Sequence, residues 1–257
     1  LTRFLLSSEM WMSPAVLIPM STNTPRNSLL GRLLDLISPR SCAVCHNRLN
    51  IAEHVLCARC NLHLPRTGYA DYPYDNEMAK IFWGRIPIER CAALIYYESG
   101  AQVSNLIYRL KYGNEPEIGI VLGEMMAKEL VSKGFFEGID VIVPVPLARK
   151  RERRRGYNQS EKIARGIENI THIPVVTDAV ERAMQTETQT HKNRWERADN
   201  VSGAFRLCQT ARIQHQHLLL VDDVVTTGMT VSACGEELKQ VPGVTISVLT
   251  WGRTPSV

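Results

Sequence analysis

The most informative segment of this 257-residue chain is residues 218–230, which read LLLVDDVVTTGMT. Their apolar run, which ends in Asp222 and Asp223, is typical of a strand buried on both faces of a parallel sheet. A Thr/Gly turn follows, and apolar residues then recur at helical spacing over 231–238. The turn is therefore predicted to lie at a helix N-terminus, where unpaired backbone N–H groups and the helix dipole bind phosphate.

The residue types in this segment predict a sugar-phosphate site. Thr226, Thr227, Gly228 and Thr230 supply small side chains, hydroxyls and backbone N–H groups. Met229 has a large side chain, but its backbone N–H group can bind phosphate if that side chain points away. The two acids can reach ribose hydroxyls or a hydrated Mg²⁺ ion, which prefers one or two carboxylates together with substrate oxygens. An ordinary strand-to-helix turn capped by a threonine is the alternative, but the whole string at this spacing favours phosphate.

Chain length and composition limit the number of domains and argue against a membrane-spanning helix. The chain is long enough for one α/β domain and a small module, and no apolar run approaches the roughly 20 residues that a membrane span needs. The formal net charge of +4 is modest and does not argue for nucleic-acid binding. Residues 1–28 are expected to be poorly ordered or to be an upstream-extended start, and the sequence leaves both Leu1 and Met20 open as the true start. They lack a convincing secretory signal, so a cytoplasmic location is predicted.

Two Cys-x-x-Cys pairs predict a structural zinc site within a module at 29–66. Cys42 and Cys45 are separated by eleven residues from Cys57 and Cys60, so both pairs can converge tetrahedrally on one ion. Two disulfides are the alternative, which a cytosolic location disfavours. Four sulfurs would close the coordination shell, so a catalytic zinc is not expected. Three histidines nearby could replace a ligand but are expected to be solvated: His46, His54 and His63.

Residues 67–257 are predicted to form the main α/β domain. Hydrophobic patterns indicate strands at 91–97, 140–144, 217–221 and 244–251, the last of which closes the sheet, with helices between them. Residues 61–85, rich in proline and tyrosine, indicate a linker or loop. Residues 181–205 are polar and weakly patterned, which is typical either of an exposed loop or of a mobile lid. A helix over 29–37 is expected to pack before the cysteines.

A dense run of positive charge follows the strand at 140–144. Six cations lie among the seven residues 149–155. Such a run is often a solvated face or a nucleic-acid patch. However, ligands of open parallel sheets bind beyond the carboxyl ends of the strands, which favours a second anion-binding loop that includes Arg151 and Arg155. Not all six cations can point inward, so several are expected to be solvated.

Together these segments resemble two related groups of proteins. Residues 218–230 resemble the phosphoribosyl pyrophosphate (PRPP) motif of type I phosphoribosyltransferases, although Met229 stands where a smaller residue is common. With the cysteine module, the chain is similar from about residue 29 onward to the ComF/GntX family, which is associated with competence and DNA utilisation. Lys192 departs from the leucine usual in that family. The further matching positions are 144–147, Arg151, Arg155, Gly156, Tyr157, Asn158, Gln159, Arg182, Thr186, Gln189, Arg197, Asn200 and Val201.

The resemblance implies a fold and a ligand. The fold would be that of type I phosphoribosyltransferases, a twisted and mostly parallel sheet with helices on both faces, preceded by the four-cysteine module. Mg²⁺ would accompany PRPP, and the basic loop would bind its pyrophosphate. The resemblance implies catalytic roles for Asp222, Asp223, Arg151 and Arg155. The residues expected to bind PRPP are Asp222, Asp223, Val224, Val225, Thr226, Thr227, Gly228, Met229 and Thr230.

Two functions remain open at this point. The first is a Mg²⁺-dependent enzyme that transfers phosphoribosyl from PRPP to an unidentified acceptor and is linked to DNA uptake or utilisation in natural competence. The second is a catalytically silent PRPP- or nucleotide-binding accessory protein that acts through competence or DNA-processing proteins or through single-stranded DNA. A protein that only binds nucleic acid through zinc would leave the Asp-Asp-Thr-Thr-Gly string unexplained.

Overall fold

The computed structural model describes residues 39–183 and 203–255. The predictions for residues 1–28, for the helix at 29–37 and for most of the segment 181–205 lie outside the described residues. The same is true of six positions that carry the family resemblance or depart from it: Thr186, Gln189, Lys192, Arg197, Asn200 and Val201.

A parallel sheet forms the centre of the described chain, which confirms the predicted α/β class. Its order is β1 (Cys91–Tyr96), β6 (Thr245–Arg253), β5 (His217–Val225) and β2 (Val141–Pro144). An isolated parallel bridge from Val175 to Ile142 extends the sheet beyond β2. The last strand, β6, lies inside the sheet and does not close its edge, because strand order depends on tertiary packing and not on chain order. A separate antiparallel pair consists of β3 (Val180–Arg182) and β4 (Phe205–Leu207).

Seven α-helices are described between and before the strands. They are α1 (Ala58–Leu62), α2 (Glu77–Phe82), α3 (Ser104–Tyr112), α4 (Pro116–Val131), α5 (Arg149–Arg155), α6 (Gln159–Thr171) and α7 (Met229–Leu238). The prediction of a linker or loop at 61–85 is wrong where α2 forms. Asn76 caps this helix, since its side chain accepts hydrogen bonds from the backbone N of Met78 and Ala79 at 2.9 and 3.0 Å. Phe82 at its end is fully buried.

Close packing of α4 on α6 positions the beginning of α6 at the sheet edge. A Cβ atom on Gly123 would lie 2.0 Å from the carbonyl oxygen of Ile163, and a Cβ on Gly166 would lie 2.0 Å from that of Ile120. Only glycine permits such an approach of two backbones. Because α6 also packs against β2 and β5, its N-terminal residues are held next to the carboxyl end of β5.

One hydrophobic core joins the cysteine region to the sheet. Buried residues in this core run from Cys42 and Leu56 to Trp251. Arg66, at the predicted boundary, forms an isolated bridge with Ile95 of β1. The division of the chain at residues 66 and 67 stays a prediction. Among the described residues, every helix is too short or too polar to cross a membrane.

Candidate functional site

The acid pair lies within β5 and not after it. Asp222 and Asp223 are only 8% and 4% exposed, and the strand continues to Val225. Successive side chains of a strand point to opposite faces, so the two carboxylates have different partners. Asp222 Oδ1 accepts hydrogen bonds at 2.9 Å from Ser160 Oγ and from the backbone N of Asp223. Asp223 Oδ2 lies 2.8 Å from Nζ of Lys111. The C-terminal part of β5 therefore holds two buried acids, each supported from a separate helix.

The environment of Asp222 disfavours its charge. Burial, and then the negative charge of Asp223, raise the pKa of Asp222 to about 7 from its usual value of 3.8. The hydrogen bonds from Ser160 and from the backbone N of Asp223, and the positive charge of Lys111, act in the opposite direction. A hydroxyl donor or a divalent cation placed at this pair would stabilise the ionised form. The acid pair is thus suited to bind a cation or a diol.

The raised pKa of Asp222 predicts a pH effect on stability. The folded protein keeps a proton on Asp222 that the unfolded chain releases above about pH 4, so the contribution of Asp222 to the free energy of unfolding falls as pH rises towards 7. From pH 5.5 to pH 8, the free energy of unfolding of Asp222→Asn is expected to rise by roughly 2 kcal/mol relative to that of the wild-type protein. Denaturant unfolding of both zinc-loaded proteins at these two pH values measures the difference, and a difference that does not change with pH would contradict the assignment.

The Thr/Gly turn follows β5 directly and leads into α7, at the position that the sequence predicts. Thr226 and Thr227 are exposed, and Gly228 is the N-terminal cap residue of α7. The first backbone N–H groups of a helix have no acceptor within the helix. Of the other residues expected to bind PRPP, Val225 is buried and three are half-buried: Val224, Met229 and Thr230. The turn therefore combines exposed hydroxyls with the N-terminus of a ten-residue helix.

Residues of α2 and the segment after it hold this turn. Gly228 has a left-handed φ of +74°, and a Cβ atom there would lie 2.4 Å from Cγ2 of Ile81 and 3.2 Å from Cε1 of Phe82. Glycine is therefore required both by the backbone conformation and by the packing. Arg85 Nη1 donates a hydrogen bond to the carbonyl oxygen of Thr227 at 2.7 Å. No sequence pattern indicates this support, because the composition of residues 61–85 predicts a linker or loop.

The basic segment after β2 is a helix, so the prediction of a loop there is wrong. Arginine, lysine and glutamate all favour helix, and the residue that caps the end of α5, Gly156, has a left-handed φ of +84°. Arg151 is exposed, whereas Arg155 is half-buried. The Arg155 side chain donates a hydrogen bond to Oε1 of Gln159, and its guanidinium lies 5.9 Å from the centre of the Tyr112 ring. The two predicted arginines thus face different environments.

Arg182 connects the basic helix with the acid pair. Burial and then the charge of Arg151 lower its pKa, while the charge of Asp222 acts in the opposite direction. Its guanidinium lies 5.3 Å from the centre of the Phe205 ring. Next to it, at the carboxyl end of β2, is a cleft of about 230 Å³. Its lining includes Pro144, Leu147, Asn158, Thr177, Glu181 and Arg182. Arg182 matched the family resemblance, but nothing in the sequence related its charge to that of Asp222.

Two supports of the acid pair were also missed from the sequence. Ser160 lies two residues after Asn158. The Asn158 side chain caps α6, because it accepts a hydrogen bond from the backbone N of Ser160 at 3.1 Å. A capping asparagine at 158 is a signal in the sequence that α6 begins there, close to Ser160. Lys111 is one residue from the end of α3, and no local pattern relates it to Asp223. Both contacts connect segments that are distant in sequence.

The four predicted metal ligands converge. The Sγ atoms of Cys42, Cys45, Cys57 and Cys60 all lie within 4.8 Å of one another, and those of Cys45 and Cys57 are 3.7 Å apart. A tetrahedral ion with Zn–S bonds of about 2.3 Å needs sulfurs about 3.8 Å apart. The backbone N of Cys57 donates to Cys42 Sγ at 3.4 Å, and that of Cys60 donates to Cys57 Sγ at 3.4 Å. The cluster can therefore hold a metal such as zinc.

Other possibilities for the cysteine module find no support in the described residues. All seven cysteines of the chain lie in the described ranges and are free thiols, so the disulfide alternative is wrong for this structure. His54 Nδ1 lies 3.5 Å from Arg40 Nη1, and His63 Nδ1 lies 2.8 Å from the carbonyl oxygen of Arg59. These two histidines have partners other than a metal.

Comparisons with known proteins relate the chain to two named groups. It is similar to DNA utilization protein YhgH of Shigella flexneri, with 31% identity over 216 residues, which cover 83% of this chain and 90% of that protein. It is also similar to Competence protein F of Haemophilus influenzae, with 26% identity over 221 residues that cover 82% of this chain and 95% of that protein. No protein-family model matches the chain.

A solved structure with some likeness is a purine phosphoribosyltransferase from Pyrococcus horikoshii Ot3. The two sequences are 16% identical, and the aligned region covers 52% of this chain and 80% of the phosphoribosyltransferase chain. The TM-score is 0.34, at which the likeness carries no argument. The sequence relatives are sufficient by themselves, because YhgH is matched over 90% of its length. The chain therefore belongs to the ComF/GntX family of competence- and DNA-utilisation-associated proteins.

Proposed function

We propose that this chain is a Mg²⁺-dependent phosphoribosyltransferase that takes PRPP as donor and acts in DNA utilisation. The observation that carries the proposal is the buried acid pair of β5, followed at once by the Thr/Gly turn at the N-terminus of α7. PRPP combines a 5′-phosphate, a ribose diol and a pyrophosphate. The turn, the acid pair and the arginines offer one complementary group for each of these three parts. The names of the relatives support the link to DNA utilisation and competence.

The proposed binding mode assigns each part of PRPP to residues of this chain. Backbone N–H groups of the turn and the hydroxyls of Thr226 and Thr227 would bind the 5′-phosphate. Asp222 and Asp223 would accept hydrogen bonds from the ribose hydroxyls or hold a hydrated Mg²⁺, which fits a site of hard carboxylate oxygens. Arg182 and Arg155 would bind the pyrophosphate, with Arg151 at the exposed rim.

Four cysteine thiolates would hold zinc, and the reduced thiols are consistent with a cytoplasmic location.

The chemistry would be a substitution at C1 of the ribose. The bond from C1 to the pyrophosphate oxygen breaks, and its electron pair leaves with the pyrophosphate, while a nucleophile of the acceptor forms the new bond. Mg²⁺ supplies charge neutralisation on the leaving group when it is bound. The buried carboxylates of Asp222 and Asp223 would favour the positive charge that develops on the ring, and the arginines would stabilise the departing anion.

A second candidate is a PRPP-binding accessory protein without turnover, which would act through competence or DNA-processing proteins or through single-stranded DNA. One observation favours it: Lys111 Nζ lies 2.8 Å from Asp223 Oδ2 and neutralises this acid from within the chain. A site whose acid is occupied in this way can sense PRPP without being built for catalysis. This candidate keeps the same binding residues and differs only in the absence of pyrophosphate release.

A calorimetric titration of PRPP, with and without Mg²⁺, tests the proposal on full-length zinc-loaded protein. We expect PRPP to bind in the presence of Mg²⁺ and ribose 5-phosphate to bind more weakly, because it lacks the pyrophosphate. Pyrophosphate release is then followed over a panel of nucleobases and amines. Release with one acceptor class supports the enzyme, whereas binding without release over the panel supports the accessory protein. If PRPP does not bind to the folded protein, both candidates are wrong.

A further inference from the structure

Lys111 brings the end of α3 to the acid pair. Its Nζ lies 2.8 Å from Asp223 Oδ2, and the side chains of Lys111 and Asp223 are 27% and 5% exposed. The ammonium group therefore reaches from the surface to a carboxylate that is almost completely buried. A buried carboxylate without a cation would be costly, and Lys111 supplies this cation from within the chain.

The residues on either side of Lys111 hold the end of α3 against the basic helix. The carbonyl oxygen of Leu110 accepts a hydrogen bond from Tyr157 Oη at 2.5 Å. The ring of Tyr112 lies under the guanidinium of Arg155, 5.9 Å from its Cζ. Since Arg155 and Tyr157 flank the end of α5, these contacts fix Lys111 between the acid pair and the cations of α5. The ion pair is consequently a preorganised contact and not that of a freely rotating surface lysine.

We propose that Lys111 is an exchange residue of the PRPP site, which pairs with Asp223 until ligand binds and then moves its ammonium to a phosphate oxygen. The inference rests on the proposed function and adds a step of regulation to the same site. Asp223 Oδ2 cannot keep the ammonium while it receives a hydrated divalent cation, because two cations at that distance repel each other. Arg155 lies over the ring of Tyr112, the residue after Lys111, so an anionic ligand bound by Arg155 would attract the released ammonium as well.

Exchange predicts opposite effects on two ligands, which a purely structural role would not produce. Lys111→Met removes the competitor for Asp223 and is expected to tighten binding of a divalent cation alone roughly three- to tenfold. The same change removes a cation from the phosphate, so affinity for PRPP with Mg²⁺ is expected to fall at least about tenfold. Lys111→Arg retains the charge and is expected to keep cation binding weak and to restore part of the PRPP affinity.

The experiment uses full-length zinc-loaded protein. Mn²⁺ is the probe for the divalent cation, and electron paramagnetic resonance measures the free ion. The portion of Mn²⁺ binding that Asp223→Asn abolishes defines the site. Calorimetry measures PRPP affinity at fixed Mg²⁺. Lys133→Met is the matched control, because Lys133 also pairs with an aspartate, Asp71, but both side chains are exposed on the surface.

Tighter Mn²⁺ binding together with weaker PRPP binding, in Lys111→Met and not in Lys133→Met, supports exchange. Unchanged affinities, or a parallel loss of both with a lower melting temperature, would overturn it and leave Lys111 as a structural residue. Failure of the proposed function gives a different result: the wild-type protein then binds no PRPP, whatever residue 111 is. In that case the transfer to phosphate is refuted too, and Mn²⁺ binding alone decides whether Lys111 competes for Asp223.

Discussion

Replacing Asp222 and Asp223 together by asparagine is expected to abolish PRPP binding, with a loss of affinity of at least about a hundredfold. Each carboxylate would make charge-assisted contacts with the ribose hydroxyls or with hydrated Mg²⁺, and such contacts contribute about 1.5–3 kcal/mol each. Asparagine has nearly the same shape, and its carbonyl oxygen can still accept the hydrogen bond from Ser160 Oγ. The fold is therefore expected to survive while the charge is lost.

Stability should respond in the opposite direction to affinity. The charges of two adjacent buried carboxylates repel each other, which contributes to the raised pKa of Asp222. Neutralising both removes this repulsion, although Lys111 then loses its partner and must be solvated. Since Lys111 is 27% exposed, we expect the double variant to be at least as stable as the wild-type protein at pH 8. A gain in stability with a loss of ligand binding is typical of functional acids.

Calorimetry with PRPP and Mg²⁺, together with metal analysis, measures both effects. The zinc content should be unchanged, because the cysteines belong to another part of the structure. Asp71→Asn serves as control, since Asp71 also pairs with a lysine but on the exposed surface, and it should bind PRPP normally. An unchanged PRPP affinity in the double variant would show that the acid pair is not the ribose site.

Loss of the metal at the cysteine cluster is the second large effect that we expect. Purified without chelator, the wild-type protein should contain one zinc per chain. Cys42→Ser should lose most of this zinc and several kcal/mol of stability, because metal binding of a structural site contributes directly to folding, by roughly 10–16 kcal/mol in small zinc peptides. Cys42 is completely buried and belongs to the same core as the sheet, so disorder at the cluster removes packing from the main domain as well.

Metal analysis and thermal unfolding test this expectation, with Cys208→Ser as the matched control. Cys208 is an exposed thiol outside the cluster, so its replacement should change neither zinc content nor melting temperature. A strong chelator should lower the melting temperature of the wild-type protein and of Cys208→Ser equally. Protein that contains no metal and unfolds at the same temperature with or without added zinc would refute the structural site.

Local patterns in the sequence were sufficient for the parts of this protein that depend on neighbouring residues. The apolar run before Asp222 predicted a buried strand, and the recurring apolar residues after Thr230 predicted α7, because burial imposes its period directly on the sequence. The spacing of the cysteines likewise predicted their convergence. The loop predicted at Arg149–Arg155 failed, since charge alone does not distinguish a loop from an exposed helix.

Other features depended on contacts between segments that are distant in the chain. The position of β6 inside the sheet, the hydrogen bond from Ser160 to Asp222 and the ion pair from Lys111 to Asp223 have no local signal. The place of β6 is set by its pairing with β1 and β5, and the contact of Ser160 is set by the packing of α6 on the sheet. The contact of Lys111 depends on the position of α3, whose end is held by Tyr157 and Arg155. The sequence was enough to predict a parallel sheet, a Thr/Gly turn at a helix N-terminus and the convergence of the four cysteines. The partners of the two acids became evident in the folded chain alone, because the energy of a buried charge depends on all groups around it and not on its neighbours in sequence.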